Sequence, residues 1–142
     1  MTVGDTIRVV VDTSVAVSFL VETHDSHASV RKSLAGERLV LASHSLAETY
    51  SVLTRLPGEA RLAPADATSL IDANFGETVL MHPAEQVAVH RLLARANVVG
   101  GAVYDALVAI AAMNNGLTVA TRDARARGTY AAIGATVRLI AS

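Results

Sequence analysis

AVYDALVAIAAM, residues 102–113, is an almost wholly apolar segment with a single carboxylate, Asp105. Strong helix formers fill the segment and NNG follows it, so it predicts a buried helix of about three turns with a left-handed stop. An ionised side chain in such a helix is costly unless it is paired, hydrogen-bonded or bound to a metal ion. Asp105 is therefore either a first-turn carboxylate stabilised by the helix dipole or part of a site. The positions of the other acids distinguish the two interpretations.

Length and composition indicate a globular protein. The chain has 142 residues, of which 51% are hydrophobic and 18% charged, as expected for one domain over residues 1–142 with a sizeable core. The absence of cysteine excludes disulfides and thiolate metal sites. No apolar run is long enough to cross a bilayer and no signal peptide is recognisable. We therefore expect a cytoplasmic protein with no membrane partner.

The charges give no overall basic field, because the net charge is −1. Lys32 is the only lysine, and the other cations are arginines, which suit bidentate phosphate contacts but also follow from a biased genome composition. Arg122, Arg125 and Arg127 flank Asp123 and are either phosphate contacts or a solvated helix face. Aromatic residues make up 4% of the chain, and no base-stacking platform is evident.

Short apolar runs alternate with helix-like segments along the chain. Strands are predicted at residues 7–12, 38–42, 78–81, 117–121 and 136–140. Helices are predicted at residues 15–21, 27–35, 45–56, 84–94, 102–113 and 124–132, with a further helix that begins at Pro64. Ser45 and Glu48 match a capping box at the start of the third helix. The alternation predicts an α/β fold with a parallel sheet and helices on both faces.

The acids fall where such a sheet binds its ligands, beyond the carboxyl ends of the strands. Asp12 ends the first strand, Glu48 opens the helix after the second, and Asp123 follows the fourth. Asp105 reaches the same edge if its helix docks beside the first strand. The simpler alternatives are that Asp12 and Asp123 only cap helices, and that Glu48 only completes the capping box with Ser45.

A cluster of carboxylates requires a cation. Two carboxylates about 4 Å apart repel by about 4 kcal/mol at an effective dielectric of about 20, so several do not stay ionised together without one. In a chain without cysteine, oxygen ligands favour Mg²⁺ or Mn²⁺ over a structural zinc. Such an ion activates water and stabilises phosphoryl charge, which predicts metal-assisted hydrolysis of phosphodiesters. Thr13, Ser14 and Thr121 are either helix caps or hydroxyls that orient the carboxylates.

Four short motifs follow one another along the chain. They are VVVDTS at residues 9–14, AE at 47–48, YDAL at 104–107 before IAA at 110–112, and TRD at 121–123. Together, in this order and spacing, they resemble the PIN-domain ribonucleases over the whole chain. The small size is similar to that of the VapC type, the toxin half of bacterial type II toxin–antitoxin pairs.

The resemblance implies a three-layer α/β/α fold with a five-stranded parallel sheet of order 3-2-1-4-5. It also implies that Asp12, Glu48, Asp105 and Asp123 form a catalytic Mg²⁺ or Mn²⁺ site for endonucleolytic RNA cleavage. Asp12 and Asp105 would ligate directly, Asp123 directly or through water, and Glu48 would orient the attacking water. Thr121 matches the hydroxyl position of the last motif. VapC-like toxins are usually homodimers that a VapB-like antitoxin silences, and their implied targets are loops of tRNA or rRNA.

Other classes of protein fit less well. A haloacid-dehalogenase-like phosphatase would need an aspartate where Ser14 stands, and a receiver domain would need adjacent acids after the first strand and a late lysine. The remaining alternatives are a PIN-fold RNA-processing domain and a non-catalytic RNA- or protein-binding domain that keeps its acids as helix caps. Metal-dependent RNA cleavage separates the nuclease from the phosphatase and from the binding domain.

Overall fold

A parallel β-sheet forms the centre of the fold in a computed structural model that describes residues 6–140. Its five strands are ordered β3-β2-β1-β4-β5, and every neighbouring pair is parallel. The strands are β1 (Arg8–Val11), β2 (Arg38–Ala42), β3 (Thr78–Val79), β4 (Val119–Thr121) and β5 (Val137–Leu139). The predicted α/β class and the strand order that the resemblance implied are both confirmed.

Helices connect the strands. They are α1 (Thr13–Leu20), α2 (His27–Ser33), α3 (Ser43–Leu53), α4 (Pro64–Asn74), α5 (Pro83–Gln86), α6 (Val89–Arg95), α7 (Ala102–Asn114) and α8 (Ala124–Ile133), with a short 3₁₀ turn at Gly58–Ala60. Within residues 6–140, none of the helices combines the length and the apolar character that a membrane span requires.

The central strand β1 contributes to two hydrophobic cores because successive side chains of a strand point to opposite faces. Val9 and Val11 pack into a core that includes buried side chains from α1 to α4. Val10 packs on the other face with α7 and α8. Helices therefore cover both faces of the sheet, in the three layers that the resemblance implied.

The apolar segment at residues 102–113 forms α7 and lies against the sheet. Ala109 and Ala112 are fully buried, and both pack in the same core as Val10. After the helix, Gly116 adopts a φ of +67°, a left-handed conformation that glycine takes without a Cβ clash. The predicted helix and its stop are confirmed.

The local predictions around two helices are wrong. α3 begins at Ser43, directly after β2, so Ser45 lies inside the helix and its side chain caps nothing. The capping box therefore does not form, and α3 ends at Leu53 instead of residue 56. The predicted helix at residues 84–94 is divided into α5 and α6, with Val87 exposed at the break. The first error arose because no loop separates β2 from α3.

Candidate active site

A cavity of about 180 Å³ lies at the edge of the sheet where β1 and β4 end. All four carboxylates that the sequence singled out line it, although they come from four different segments. The lining residues are Asp12, Thr13, Ser14, His44, Glu48, Tyr104, Asp105, Val108, Asp123, Ala126 and Tyr130. Asp105 reaches this edge because α7 packs against both α3 and α8.

Asp12 is the most firmly held of the four carboxylates, with only 5% of the residue exposed. Its Oδ1 accepts hydrogen bonds from the Ser14 hydroxyl at 2.6 Å and from the Val15 amide at 3.2 Å. Its Oδ2 accepts a hydrogen bond from the Tyr130 hydroxyl at 2.9 Å. Asp12 therefore does cap α1, but the cap uses one oxygen and leaves the residue in the cavity wall.

Asp123 is placed in a similar way at the start of α8. Its Oδ1 accepts a hydrogen bond from the Arg125 amide at 2.9 Å, and its own amide donates to Thr121 Oγ1 at 3.0 Å. Thr121 is fully buried and thus anchors the turn that carries Asp123. Ser14 joins the two turns, because its hydroxyl also accepts from the Arg122 amide at 3.2 Å. The cap interpretation and the site interpretation are compatible for both aspartates.

Glu48 lies one turn after His44 on α3, and its side chain is 43% exposed. The two side chains approach to 3.3 Å between Glu48 Oε2 and His44 Nε2, in a geometry that does not make a hydrogen bond. On its other side, the His44 ring stacks on Tyr104, with centroids 5.3 Å apart and planes 11° from parallel. Glu48 is thus a partly exposed carboxylate whose neighbour in the cavity wall is the ring of His44.

Asp105 is the carboxylate of the cluster whose ionised form is disfavoured by its surroundings. The pKa of its carboxyl is raised from 3.8 to about 6, mainly by burial and further by the negative charges of Asp12, Asp123 and Glu48, while His44 opposes the shift. Desolvation and like charges both disfavour the ionised form of a carboxyl group. A bound cation would remove this penalty, which is the behaviour expected of a metal site.

The Tyr130 hydroxyl is a site group that the sequence interpretation missed. Tyr130 is fully buried, and burial together with the adjacent Asp12 carboxylate raises the pKa of its phenol, so it stays a neutral hydrogen-bond donor. Its position on α8 gives a partial signal, since residues 126 and 130 share the helix face that is directed at the sheet. Nothing in the sequence relates Tyr130 to Asp12, which lies 118 residues earlier.

The donor set fits a hard divalent cation, although the ligands are not yet arranged around one. Within residues 6–140, no group of three or more acidic or histidine side chains is already positioned to coordinate a single metal ion. Carboxylate oxygens are nevertheless the ligands that Mg²⁺ and Mn²⁺ prefer, and a bound cation would offset the burial and the like charges that raise the pKa of Asp105. Asp12, Glu48, Asp105 and Asp123 are the residues that could bind such an ion.

The two arginines predicted as phosphate contacts differ in their surroundings. Arg125 has a side chain that is 95% exposed, with its Nε 3.6 Å from Asp123 Oδ1. Arg122 is partly buried, and its Nη2 donates to the hydroxyl of the buried Ser26 at 2.6 Å. Arg125 is therefore exposed at the rim of the cavity, whereas Arg122 ties the end of β4 to the start of α2.

Sequence comparisons find relatives along nearly the whole chain. Residues 9–131 match the family profile of the PIN domain. Ribonuclease VapC27 of Mycobacterium tuberculosis is 51% identical over 124 residues, which cover 87% of this chain and 90% of the relative. Ribonuclease VapC40 of the same species is 38% identical over 131 residues, covering 91% of this chain and 96% of the relative.

Solved structures with a similar fold are more distant in sequence. A structure of FitAB bound to the IR36 DNA fragment aligns over 92% of this chain and 94% of the matched chain, with a TM-score of 0.69 and 20% identity. Mycobacterium tuberculosis VapC20, described as a Sarcin-Ricin loop cleaving toxin, aligns over 90% of this chain and 96% of its own, with a TM-score of 0.65 and 16% identity. At this level of identity the likeness establishes the fold.

Proposed function

The chain belongs to the PIN-domain family and, within it, to the VapC ribonucleases, and on this basis we propose that it is a Mg²⁺- or Mn²⁺-dependent endoribonuclease, the toxin of a VapBC-type pair. Nucleases of this family generally depend on a divalent metal ion. The observation that carries the proposal is the single cavity in which four carboxylates from four segments meet. Such a convergence provides the negative charge that binds a hard cation next to a phosphodiester.

Asp12, Asp105, Asp123 and Glu48 would hold the metal ion. When bound, the ion supplies Lewis-acid stabilisation of phosphoryl charge and makes water a better nucleophile. Asp12 enters this reaction already oriented, because the Ser14 and Tyr130 hydroxyls donate to its two oxygens. Asp105 must lose its proton before it can act as a ligand, so its raised pKa couples metal binding to pH.

Glu48 suits the role of orienting the attacking water. Its side chain is 43% exposed and makes no hydrogen bond within residues 6–140, in contrast to Asp12. A carboxylate in that setting can accept a hydrogen bond from a water molecule at the mouth of the cavity. Hydrolysis of the RNA strand then proceeds by attack of water on phosphorus and departure of one of the two ester oxygens.

The first test is cleavage of total cellular RNA by the purified protein with Mg²⁺, with Mn²⁺ and with EDTA. We expect discrete fragments in either metal and none in EDTA. Asp12→Asn should reduce cleavage roughly 1000-fold or more, since several kcal/mol of transition-state stabilisation depend on the ion. Asp72→Asn, on the exposed surface of α4, is the matched control and should cleave normally.

Intact RNA in both metals from a folded wild-type protein would contradict the proposal and favour a PIN-fold binding domain without catalysis. Cleavage that Asp12→Asn does not reduce would show that a contaminant is active or that the site lies elsewhere. Circular dichroism of each variant establishes that the fold is retained.

The exposed Arg125 is proposed to contact RNA phosphate, and so is the partly buried Arg122. Arg125→Ala should lower the slope of log K against log salt by about 0.7 without changing the melting temperature. Arg122→Ala should also cost about 1–3 kcal/mol of folding free energy, because the buried Ser26 hydroxyl loses its partner. Filter binding over a salt series and thermal melts measure both effects. An unchanged slope for Arg125→Ala would contradict the contact.

The partners are proposed on family grounds. We propose that the protein acts in the cytoplasm as a homodimer on tRNA or rRNA loops, under the control of a VapB-like antitoxin. The FitAB structure, a fold neighbour, supports a partner chain, and the VapC20 structure supports an RNA loop as substrate. Light scattering of the purified protein tests the dimer, and sequencing of the cleaved ends identifies the RNA.

A further inference from the structure

The acidic cavity has an aromatic wall that its proposed metal chemistry does not use. Tyr104 immediately precedes Asp105 on α7 and is 55% exposed, although it lines the same cavity as the carboxylates. One face of its ring lies on the His44 ring, at 5.3 Å and 11°. The sequence had suggested no stacking platform, because it could not show that residues 44 and 104 meet.

The stack holds the Tyr104 ring in place while leaving it accessible. His44 is only partly exposed and lies on α3, so its ring packs against one face of the Tyr104 ring and restricts its movement. Among residues 6–140, the other aromatic side chains are placed differently. Phe19 and Phe75 contact each other in the core, Tyr130 is buried, and Tyr50 does not line the cavity.

An exposed aromatic ring beside a phosphate-binding site has the arrangement of a nucleobase subsite. Every base has a π-face, and stacking on an aromatic side chain contributes about 1–3 kcal/mol per base. In RNA the base is one sugar away from its phosphate, so a phosphate at the acids brings a neighbouring base within reach of Tyr104. The base must be unpaired, because a base within an A-form helix is stacked on its neighbours and its face is covered.

We propose that Tyr104, supported by His44, is a stacking platform that binds one unpaired base of the RNA next to the phosphodiester held at the acidic cavity. This inference rests on the proposed ribonuclease function. It assigns the cavity a preference for unpaired RNA without assigning a preferred base, since stacking on a tyrosine is tolerant of base identity.

The test compares two decamers with equal phosphate charge, oligoadenylate and the abasic ribose-phosphate oligomer. Every protein carries Asp12→Asn so that no strand is cut. Tyr104→Leu should weaken oligoadenylate binding roughly 5- to 150-fold, the equivalent of losing one stacked base. Tyr104→Phe should stay within about 3-fold of the parent, because it keeps the ring. Tyr50→Leu is the control for loss of an exposed tyrosine and should bind like the parent.

A fluorescent variant gives an independent readout. The chain contains no tryptophan, so Tyr104→Trp places a single indole at the proposed platform. Oligoadenylate should quench its emission and the abasic oligomer should not, whereas Tyr50→Trp should respond to neither. Equal binding of the two oligomers, or unchanged oligoadenylate binding by Tyr104→Leu, would overturn the platform.

The outcomes separate this inference from the proposed function. If the wild-type protein cleaves RNA while Tyr104→Leu binds oligoadenylate normally, the ribonuclease stands and the platform is wrong. If the wild-type protein cleaves no RNA in either metal while Tyr104→Trp is quenched only by the base-carrying oligomer, the platform stands and the ribonuclease is wrong.

Discussion

Asp105→Asn is expected to abolish RNA cleavage and, in the metal-free protein near neutral pH, to increase the free energy of unfolding. The loss of cleavage, roughly 1000-fold or more, follows from removal of a proposed metal ligand. The gain in stability follows because burial and three nearby carboxylates disfavour the Asp105 charge. We expect a gain of about 1–2 kcal/mol, reduced from the full pKa shift because the site is partly open to screening by water.

The stability effect has a defined dependence on pH. The folded pKa of Asp105, about 6, is higher than its ordinary value of 3.8. Between these values the folded protein keeps a proton that the unfolded chain has lost, so the contribution of Asp105 to stability falls as the pH rises. The difference between Asp105→Asn and the wild type should therefore be small below pH 4 and reach its maximum above pH 6.

Urea unfolding in EDTA at several pH values measures this difference, and an RNA cleavage assay in Mn²⁺ measures activity. The matched control is Asp66→Asn on α4, an exposed acid in a helix first turn, which should not gain stability near neutral pH. An Asp105→Asn protein that is less stable than the wild type near neutral pH would show that Asp105 is not under electrostatic strain. Metal binding by the wild type should also weaken as the pH falls below 6.

Tyr130→Phe is expected to reduce both the stability of the protein and its affinity for metal. The substitution keeps the ring in the core and removes only the hydroxyl that donates to Asp12 Oδ2 at 2.9 Å. Hydrogen bonds to charged groups contribute about 1.5–3 kcal/mol, so we expect the melting temperature to fall by about 3–10 °C. Loss of a hydrogen bond that orients a metal ligand typically costs about 10- to 100-fold in metal affinity or activity.

Calorimetric titration with Mn²⁺ separates a positioning role from a merely structural one. If Tyr130 orients Asp12, the variant should bind Mn²⁺ more weakly at a temperature where it is fully folded. A lower melting temperature with unchanged Mn²⁺ affinity would limit Tyr130 to packing. Tyr50→Phe, which removes a hydroxyl from an exposed tyrosine on α3, should change neither quantity.

The fold was largely predictable because it depends on patterns that are local in the chain. The continuous apolar run of β1 and the apolar helix at residues 102–113 reflect burial on both faces of a parallel sheet. Asp12 and Asp123 could be located for the same reason, since a residue that follows a parallel strand lies at the carboxyl edge wherever the strand is placed. Asp105 lies within a helix and reaches this edge only because α7 packs against α3 and α8. Errors occurred where the local signal was ambiguous, as at Ser45, which lies inside α3 and not at its start.

The environment of those acids was decided by contacts between distant segments. The hydrogen bond from Tyr130 to Asp12 spans 118 residues, and the stack of His44 on Tyr104 requires α3 and α7 to pack together. The pKa of Asp105 is likewise raised by its burial in the tertiary structure and by acids from three other segments. Sequence alone was enough for the fold class and for placing Asp12 and Asp123 at the ends of their strands, because periodicity and strand ends are local properties. Other features of the site depend on distances through space, which only the tertiary structure sets. These are the side chains that orient the carboxylates, the charges that disfavour their ionisation and the aromatic rings beside them.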